Sequence, residues 1–398
     1  MTAVITGVGV VSAYGAGWSS FSEGLSAGRV AVGPIPWAPE GFPVKVAGSV
    51  PLVVRTRDRK LDFLLHATAE AWDAAGCGED ERRASMSVGL GLEQAFLDDF
   101  GPLVKGGGLD WTRAPQGPEA AFRSRLDVPA EIVRERWRLT GAQLVDTSAC
   151  AAGALAVARA ASWIHRGEAQ IVLCGAADSM VNPLGLAGMW RLGAPSPRGT
   201  PDACRPFDTY RDGMVIGEGA AMFVLEDEAR AKARGARILA RLTGWGSSLD
   251  GYAPTAPRPD GAMAVRAMRR AVERSGRPRE AFTYVNAHGT GTPPNDLAEA
   301  RALHELFGSG VDRVAVSSIK GAIGHGMAAA GALELAACIW TLLEQRLPGT
   351  ANLRTIDPQC ALDVVGALPR PAVVEALLTN SFGFGGQNAC LAVERGEA

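Results

Sequence analysis

The chain has 398 residues, 47% hydrophobic and 21% charged, with 49 Gly, 24 Pro and a formal net charge of −2. This composition is that of an ordinary globular protein and excludes a disordered or fibrous chain. Near-neutral charge provides no global field for nucleic acid or an anionic membrane, so neither is an expected partner, and any charged partner must meet a local patch.

At roughly 150 residues per domain, the length suits two or three domains or one large duplicated fold. Met1 leads directly into the strand-like Ala3-Val4-Ile5-Thr6-Gly7 with no basic segment or small-residue cleavage site ahead of it. No export is expected, and the place of work is the bacterial cytoplasm. The longest apolar stretches, Ala149–Ile164 and Gly326–Trp340, are interrupted by Arg159 and Glu334, and each is shorter than the roughly 20 residues of a membrane span. Seven cysteines, an odd number with no CxxC pair, and only five histidines argue against a disulfide framework and against a structural metal site.

Apolar or β-branched runs predict strands at Ala3–Val11, Ser87–Leu92, Leu144–Thr147, Ile171–Gly175, Ala221–Leu225, Ile238–Gly244, Tyr284–Ala287, Val314–Ser317, Ala376–Asn380 and Ala389–Val393. Helical periodicity appears between them at Phe63–Ala75, Ala152–Arg166, Ala262–Ser275, Asp296–Phe307 and Ala328–Glu344. Strands alternating with helices, several of them continuously apolar, predict an α/β protein with largely parallel sheets. An internal echo sharpens this. Ala151-Ala152-Gly153-Ala154-Leu155 recurs 178 residues on as Ala329-Ala330-Gly331-Ala332-Leu333, each time opening an apolar helix after a strand and a tight turn. Duplication would place the two small-residue helices against each other at the centre of a pseudo-twofold molecule.

Four segments carry chemistry-bearing residues. Cys150 sits where the strand ending Asp146-Thr147-Ser148-Ala149 turns into a helix. A thiol there is either a small buried hydrophobe or a nucleophile whose pKa the helix N-terminus lowers. His288 opens a glycine- and threonine-rich loop, His288–Asp296, which presents an imidazole and leaves room for a ligand chain. His325 lies in the turn before the second echo helix, with Lys320 five residues earlier, and is either a helix cap or a partner of Cys150 across the twofold. Lys320 beside that imidazole is either solvated or holds the ring neutral and oriented. Finally, Asn380–Asn388 packs three glycines and two aromatics into a turn after a strand, either a plain hairpin or a cradle of backbone amides for an oxyanion.

Together with Arg205-Pro206-Phe207-Asp208, Arg211-Asp212-Gly213 and Gly217-Glu218-Gly219, these segments resemble the elongating β-ketoacyl-acyl carrier protein synthases with a Cys-His-His centre, over nearly the whole chain. The resemblance implies a thiolase-like fold of two duplicated βαβαβαββ halves in five α-β-α-β-α layers, residues 1–236 carrying Cys150 and residues 237–398 carrying His288 and His325. It implies decarboxylative Claisen condensation of a malonyl-carrier-protein extender with an acyl group held on Cys150. The two histidines would stabilise the enolate, and the amides of Cys150 and Phe384 would form the oxyanion hole. Lys320, Asp296 and Glu334 match supporting positions that orient the histidines, Thr290 and Thr292 match contacts to phosphopantetheine, and Phe384 also matches a gate of the acyl pocket. No metal or cofactor is implied, because substrates ride on the carrier protein's phosphopantetheine. An acidic carrier protein needs a basic landing site, and Arg55, Arg57, Arg59 and Lys60 form the densest positive cluster.

Two departures separate the chain from the family pattern. Residues 92–141 lack the usual Pro- and Asn-containing stretch, Phe122–Arg138 reading instead as a charged helix, and Leu186–Trp190 replaces a glycine-flanked Phe near the pocket. Both favour a specialised polyketide or polyene pathway over housekeeping fatty acid elongation, with the chain in a homodimer or in a heterodimer with a ketosynthase-like chain-length subunit. The competing reading is a non-condensing chain-length or scaffolding partner, which the presence of Cys150 disfavours. A thiolase or a ketoacyl synthase III is disfavoured by His325 within Gly324-His325-Gly326.

Overall fold

In the computed structural model, residues 1–56, 58–78, 81, 83–91 and 126–396 are described, with the backbone alone at 104–105 and 108–109. Eleven strands make the path of the principal sheet: β1 (Ala3–Ser12), β2 (Ser85–Leu90), β3 (Gln143–Asp146), β4 (Ile171–Asp178), β5 (Gly219–Asp227), β6 (Ala240–Leu249), β7 (Tyr284–Asn286), β8 (Ala315–Ser317), β9 (Asp363–Val364), β10 (Ala376–Gly383) and β11 (Gln387–Arg395). The first five lie in the order β3-β2-β4-β5-β1, and the later set repeats it as β8-β7-β10-β11-β6, with β9 outside β8.

Strand directions repeat as well. β2 is parallel to β3 and β4, while β5 is antiparallel to β4 and β1. β7 is parallel to β8 and β10, while β11 is antiparallel to β10 and β6. The expectation of largely parallel sheets is therefore corrected: the sheet is mixed. Apolar runs on both faces report burial, which an antiparallel strand covered by helices shares with a parallel one. The two sets join through a short antiparallel register, Ala3 opposite Leu242 and Ile5 opposite Ala240.

Helices complete five layers. α1 (Arg59–Ala74), started by Asp58 Oδ1 accepting from the Lys60 amide at 3.1 Å, covers β1, β5 and β4 from outside. α2 (Ala152–His165) and α3 (Ala330–Glu344), the two echo helices, lie at the centre against strands of both sets and against each other. α4 (Ala262–Ser275) and α5 (Pro293–Phe307) cover the far side, with α4 on β6 and β11. The segment Met327–Glu344 is long and apolar enough to cross a membrane by length and composition, but 89% of it is buried inside the protein. Of the charged helix read at Phe122–Arg138, Val128–Arg136 is helical, and residues 121–125 lie outside the described residues.

Small residues at the crossing are a steric requirement. A Cβ at Gly153 would stand 2.8 Å from the Ala332 nitrogen, and one at Gly331 would stand 2.8 Å from the Ala154 nitrogen. Overpacking a dense core costs about 1–3 kcal/mol, so Gly153→Ala is expected to destabilise the fold by that amount, read as a lower urea midpoint with an unchanged slope.

Candidate active site

At the end of β3, Asp146 Oδ1 accepts from the Ser148 amide at 2.9 Å and turns the chain. Ala149 takes a left-handed φ of 48°, opening a short 3₁₀ turn, Ala149–Ala151, that runs into α2. The strained turn puts Cys150 at the end of the helix with its side chain 3% exposed and the Phe384 backbone N–H directed at its sulfur. Here the structure corrects the sequence reading. Burial pushes the Cys150 thiol up to about 12, against the opposing pull of Lys320 and the Phe384 amide. The sulfur is buried, and the loss of its solvation outweighs both of those pulls. A group titrating so high reacts in proportion to its small thiolate fraction. Alkylation of Cys150 by iodoacetamide, followed by peptide mass spectrometry, is expected to rise roughly tenfold per pH unit between about pH 7 and 9 with no plateau.

His288 follows β7 at the head of the glycine-rich loop and is 2% exposed. Its own amide and that of Gly289 each donate to a different oxygen of Glu299, both at 2.8 Å. Lys320 Nζ lies 3.3 Å from His288 Nδ1, donates to the His288 carbonyl at 2.5 Å, and is ion-paired with Glu334. An ammonium has only donors, so Nδ1 must accept and the ring proton stands on Nε2. Lys320 thus orients His288, 32 residues away, rather than the sequence neighbour His325.

His325 is fully buried, and its Nδ1 accepts from the Met327 amide at 3.1 Å. The same logic places its proton on Nε2, which has no hydrogen-bond partner among the described residues. The two imidazoles stand 5.2 Å apart, centroid to centroid, at 82°. Burial, and then the charge of Lys320, hold both well below the usual histidine range, so both are neutral. Cys150, His288, His325, Thr290, Thr292 and Phe384 line one cavity. Two neutral rings that line one cavity with a thiol, each keeping its ring N–H on Nε2, form a pair of neutral donors rather than a general base.

The remaining expected residues take distinct places. Glu334 joins Lys320 and also accepts from Ser381 Oγ at 3.3 Å, and burial raises its carboxyl to about 7. Asp296 touches neither imidazole. It accepts from the Phe207 and Gly291 amides at 2.8 and 3.3 Å and faces Arg211 at 3.5 Å, so it holds the loop that carries Thr290 and Thr292. Those two hydroxyls bond each other at 2.8 Å. Phe384 is half-buried against the apolar cluster around Cys150, and two left-handed glycines, Gly385 and Gly386 at φ 83° and 79°, follow it. Leu186 and Met189 belong to the same cluster, within the helix Pro183–Arg191 that the sequence reading did not anticipate.

Two members of the basic cluster are engaged by acids. Lys60 is 1% exposed and paired with Asp58, and Arg59 turns inward to Glu218 at 2.5 Å. Only Arg55 is exposed, and Arg57 lies outside the described residues, as does residue span 92–125 apart from the backbone noted above. A charge run ahead of a helix was legible, but the buried Glu218, 159 residues from Arg59, was not legible as its partner. Sequence reasoning also missed Glu299. Its signal was available: Asp296 and Glu299 stand three apart on the buried face of α5, where acids seldom lie without a task.

The family described as "Beta-ketoacyl synthase, N-terminal domain" matches residues 2–231, and "Beta-ketoacyl synthase, C-terminal domain" matches residues 239–354. The chain belongs to the β-ketoacyl synthase family. It is 33% identical over 416 residues to "3-oxoacyl-[acyl-carrier-protein] synthase 2" of Synechocystis sp., covering 98% of this chain and 97% of that one. Among solved structures it matches a type II PKS acyl-carrier protein complex with its ketosynthase bound to the hexaketide, at TM-score 0.92 and 28% identity over 99% of both chains. It also matches the ishigamide ketosynthase/chain length factor, at TM-score 0.87 and 33% identity over 99% of both chains. This β-ketoacyl synthase has the thiolase-like fold of those neighbours.

Proposed function

We propose that this β-ketoacyl synthase condenses an acyl group held on Cys150 with a malonyl extender, both delivered on acyl carrier protein. The observation that carries the reading is the convergence, in one cavity, of a buried thiol with two neutral imidazoles that each carry the ring proton on Nε2. In the first half-reaction Cys150 Sγ forms a bond to the acyl carbonyl, the bond to the pantetheine sulfur breaks, and the thiol proton ends on that leaving sulfur. The amides of Cys150 and Phe384 take the carbonyl oxygen, while Thr290 and Thr292 hold the arm. In the second, the malonyl carbon–carboxylate bond breaks and its electron pair forms an enolate, whose oxygen His288 and His325 receive by donation. The enolate carbon attacks the acyl carbonyl and expels the Cys150 thiolate, which recovers a proton from solvent. Departure of CO2 drives the bond formation, so the reading calls on no resident metal or redox group.

On this reading, residues 1–236 supply the nucleophile, residues 237–398 the two histidines, and Lys320, Glu334 and Asp296 hold the latter half's loops. The divergent Leu186–Trp190 segment beside Cys150 favours a specialised polyketide or polyene product. The structural likeness to a ketosynthase/chain length factor favours a heterodimer over a homodimer, and bacterial relatives favour the cytoplasm. Incubation with a series of acyl-carrier-protein thioesters is expected to add one acyl mass to the protein, located on Cys150; no adduct at any chain length overturns the reading. His325→Ala is expected to slow CO2 release from malonyl-carrier protein by about 10²–10³-fold, the scale for removing one oxyanion donor.

A further inference from the structure

The 178-residue offset aligns Cys150 with Ala328 and Ala149 with Met327, and the backbone repeats the turn. Each is a short 3₁₀ turn, Ala149–Ala151 and Met327–Ala329, leading into an echo helix, and Ala149 and Met327 have φ of 48° and 50°. Over each turn lies the last residue of a β-strand from the opposite set. Asp178 ends β4 and pairs with Gly219, the first residue of β5; Gly383 ends β10 and pairs with Gln387, the first residue of β11. The two residues therefore hold one position in the repeated order, and they differ in what they place over the turn.

Asp178 is 1% exposed, and its Oδ2 accepts from the Ala328 amide at 2.9 Å. At Gly383 a Cβ would stand 3.2 Å from the amide nitrogens of both Cys150 and Ala151 and 3.0 Å from the Ser148 carbonyl oxygen. Gly383 has φ −112° and ψ 156°, extended backbone open to any residue, so the glycine is not there for its conformation. Its missing side chain is a matter of space. We infer that the protein contains two copies of one amide cradle, that Asp178 closes the copy over Ala328, and that Gly383 leaves the copy over Cys150 open for the thioester oxygen. The closed copy has its own task. With Ala328 N tied to Asp178 and Met327 N tied to His325 Nδ1, successive amides of one turn fix a ring that lines the cavity and keeps its proton on Nε2. Asp178 is a positioning residue for His325, and Gly383 admits the oxygen; both roles rest on Cys150 being the acylated nucleophile.

The test separates the two half-reactions, acylation of Cys150 read by intact mass and decarboxylation of malonyl-carrier protein read as CO2 release. Gly383→Asn places a neutral acceptor where Asp178 stands in the other copy. It is expected to slow acylation by about 100-fold and to change decarboxylation by less than about threefold, since that step relies on the histidines. Gly383→Ala carries the same expectation at about tenfold, and decides the matter if the larger side chain prevents folding. Asp178→Ala is expected to slow decarboxylation by about tenfold while acylation stays within about threefold, and Asp178→Asn, which keeps an acceptor for Ala328 N, to restore it. Wild-type acylation by Gly383→Asn or Gly383→Ala, or parallel loss of both half-reactions in Asp178→Ala, overturns the inference. Failure of the wild-type protein to acylate at Cys150 overturns the functional reading instead.

Discussion

Cys150→Ala is expected to abolish the acyl adduct and to lower condensation by roughly 10⁴-fold or more, the scale on which loss of a covalent nucleophile acts. Decarboxylation is expected to survive. The thiol contributes the bond to the acyl group, whereas the enolate is held by His288 and His325, whose orientations do not depend on sulfur: one is fixed by Lys320 and Glu299, the other by the Met327 amide. The measurement pairs intact mass after acyl transfer with CO2 release from malonyl-carrier protein. If CO2 release falls together with the adduct, sulfur and imidazoles do not divide the labour in this way. Because burial holds the thiol at about 12, the cavity keeps an unreacted Cys150 protonated at neutral pH. Its activation therefore belongs to the moment when the arm and thioester fill the space, with the proton passing to the leaving sulfur.

How much of this was legible beforehand follows from what each feature depends on. The echo at Ala151 and Ala329 and the strand-end positions of Cys150 and His288 depend on local pattern, and the structure brings them together. Strand direction was not legible, since apolar runs report burial rather than pairing sense. The thiol's raised pKa was missed because the closeness of Phe384, Met189 and the rest of the apolar cluster comes from segments far apart in sequence. Sequence spacing set Lys320 beside His325 alone and the resemblance tied it to both histidines, whereas its ammonium reaches the Nδ1 of His288, which the fold brings to it. Asp178 went unread for a related reason: it accepts from the Ala328 amide, 150 residues away, and amides leave no mark on sequence.

Lys320→Met is expected to damage both stability and catalysis, and a second substitution distinguishes them. Lys320 is 2% exposed and joins Glu334, the His288 carbonyl and His288 Nδ1. Removing one partner of a buried ion pair costs about 3–5 kcal/mol, because the other charge remains unmatched. The cost has a definite pH dependence. Burial already raises Glu334 to about 7 against the pull of Lys320, and without that ammonium it rises further. A carboxyl whose folded pKa exceeds its unfolded one binds more protons when native, so stability falls as pH rises from the unfolded value toward the folded one. Urea unfolding is accordingly expected to show a larger deficit for Lys320→Met at pH 8 than at pH 6. Adding Glu334→Gln removes the titrating carboxyl and is expected to recover most of the stability and to flatten the pH dependence. It is not expected to recover decarboxylation, since His288 Nδ1 still lacks the donor that fixes its tautomer and aim; a loss of about 10²-fold remains. A double variant that regains both activity and stability would show that Lys320 serves the fold alone.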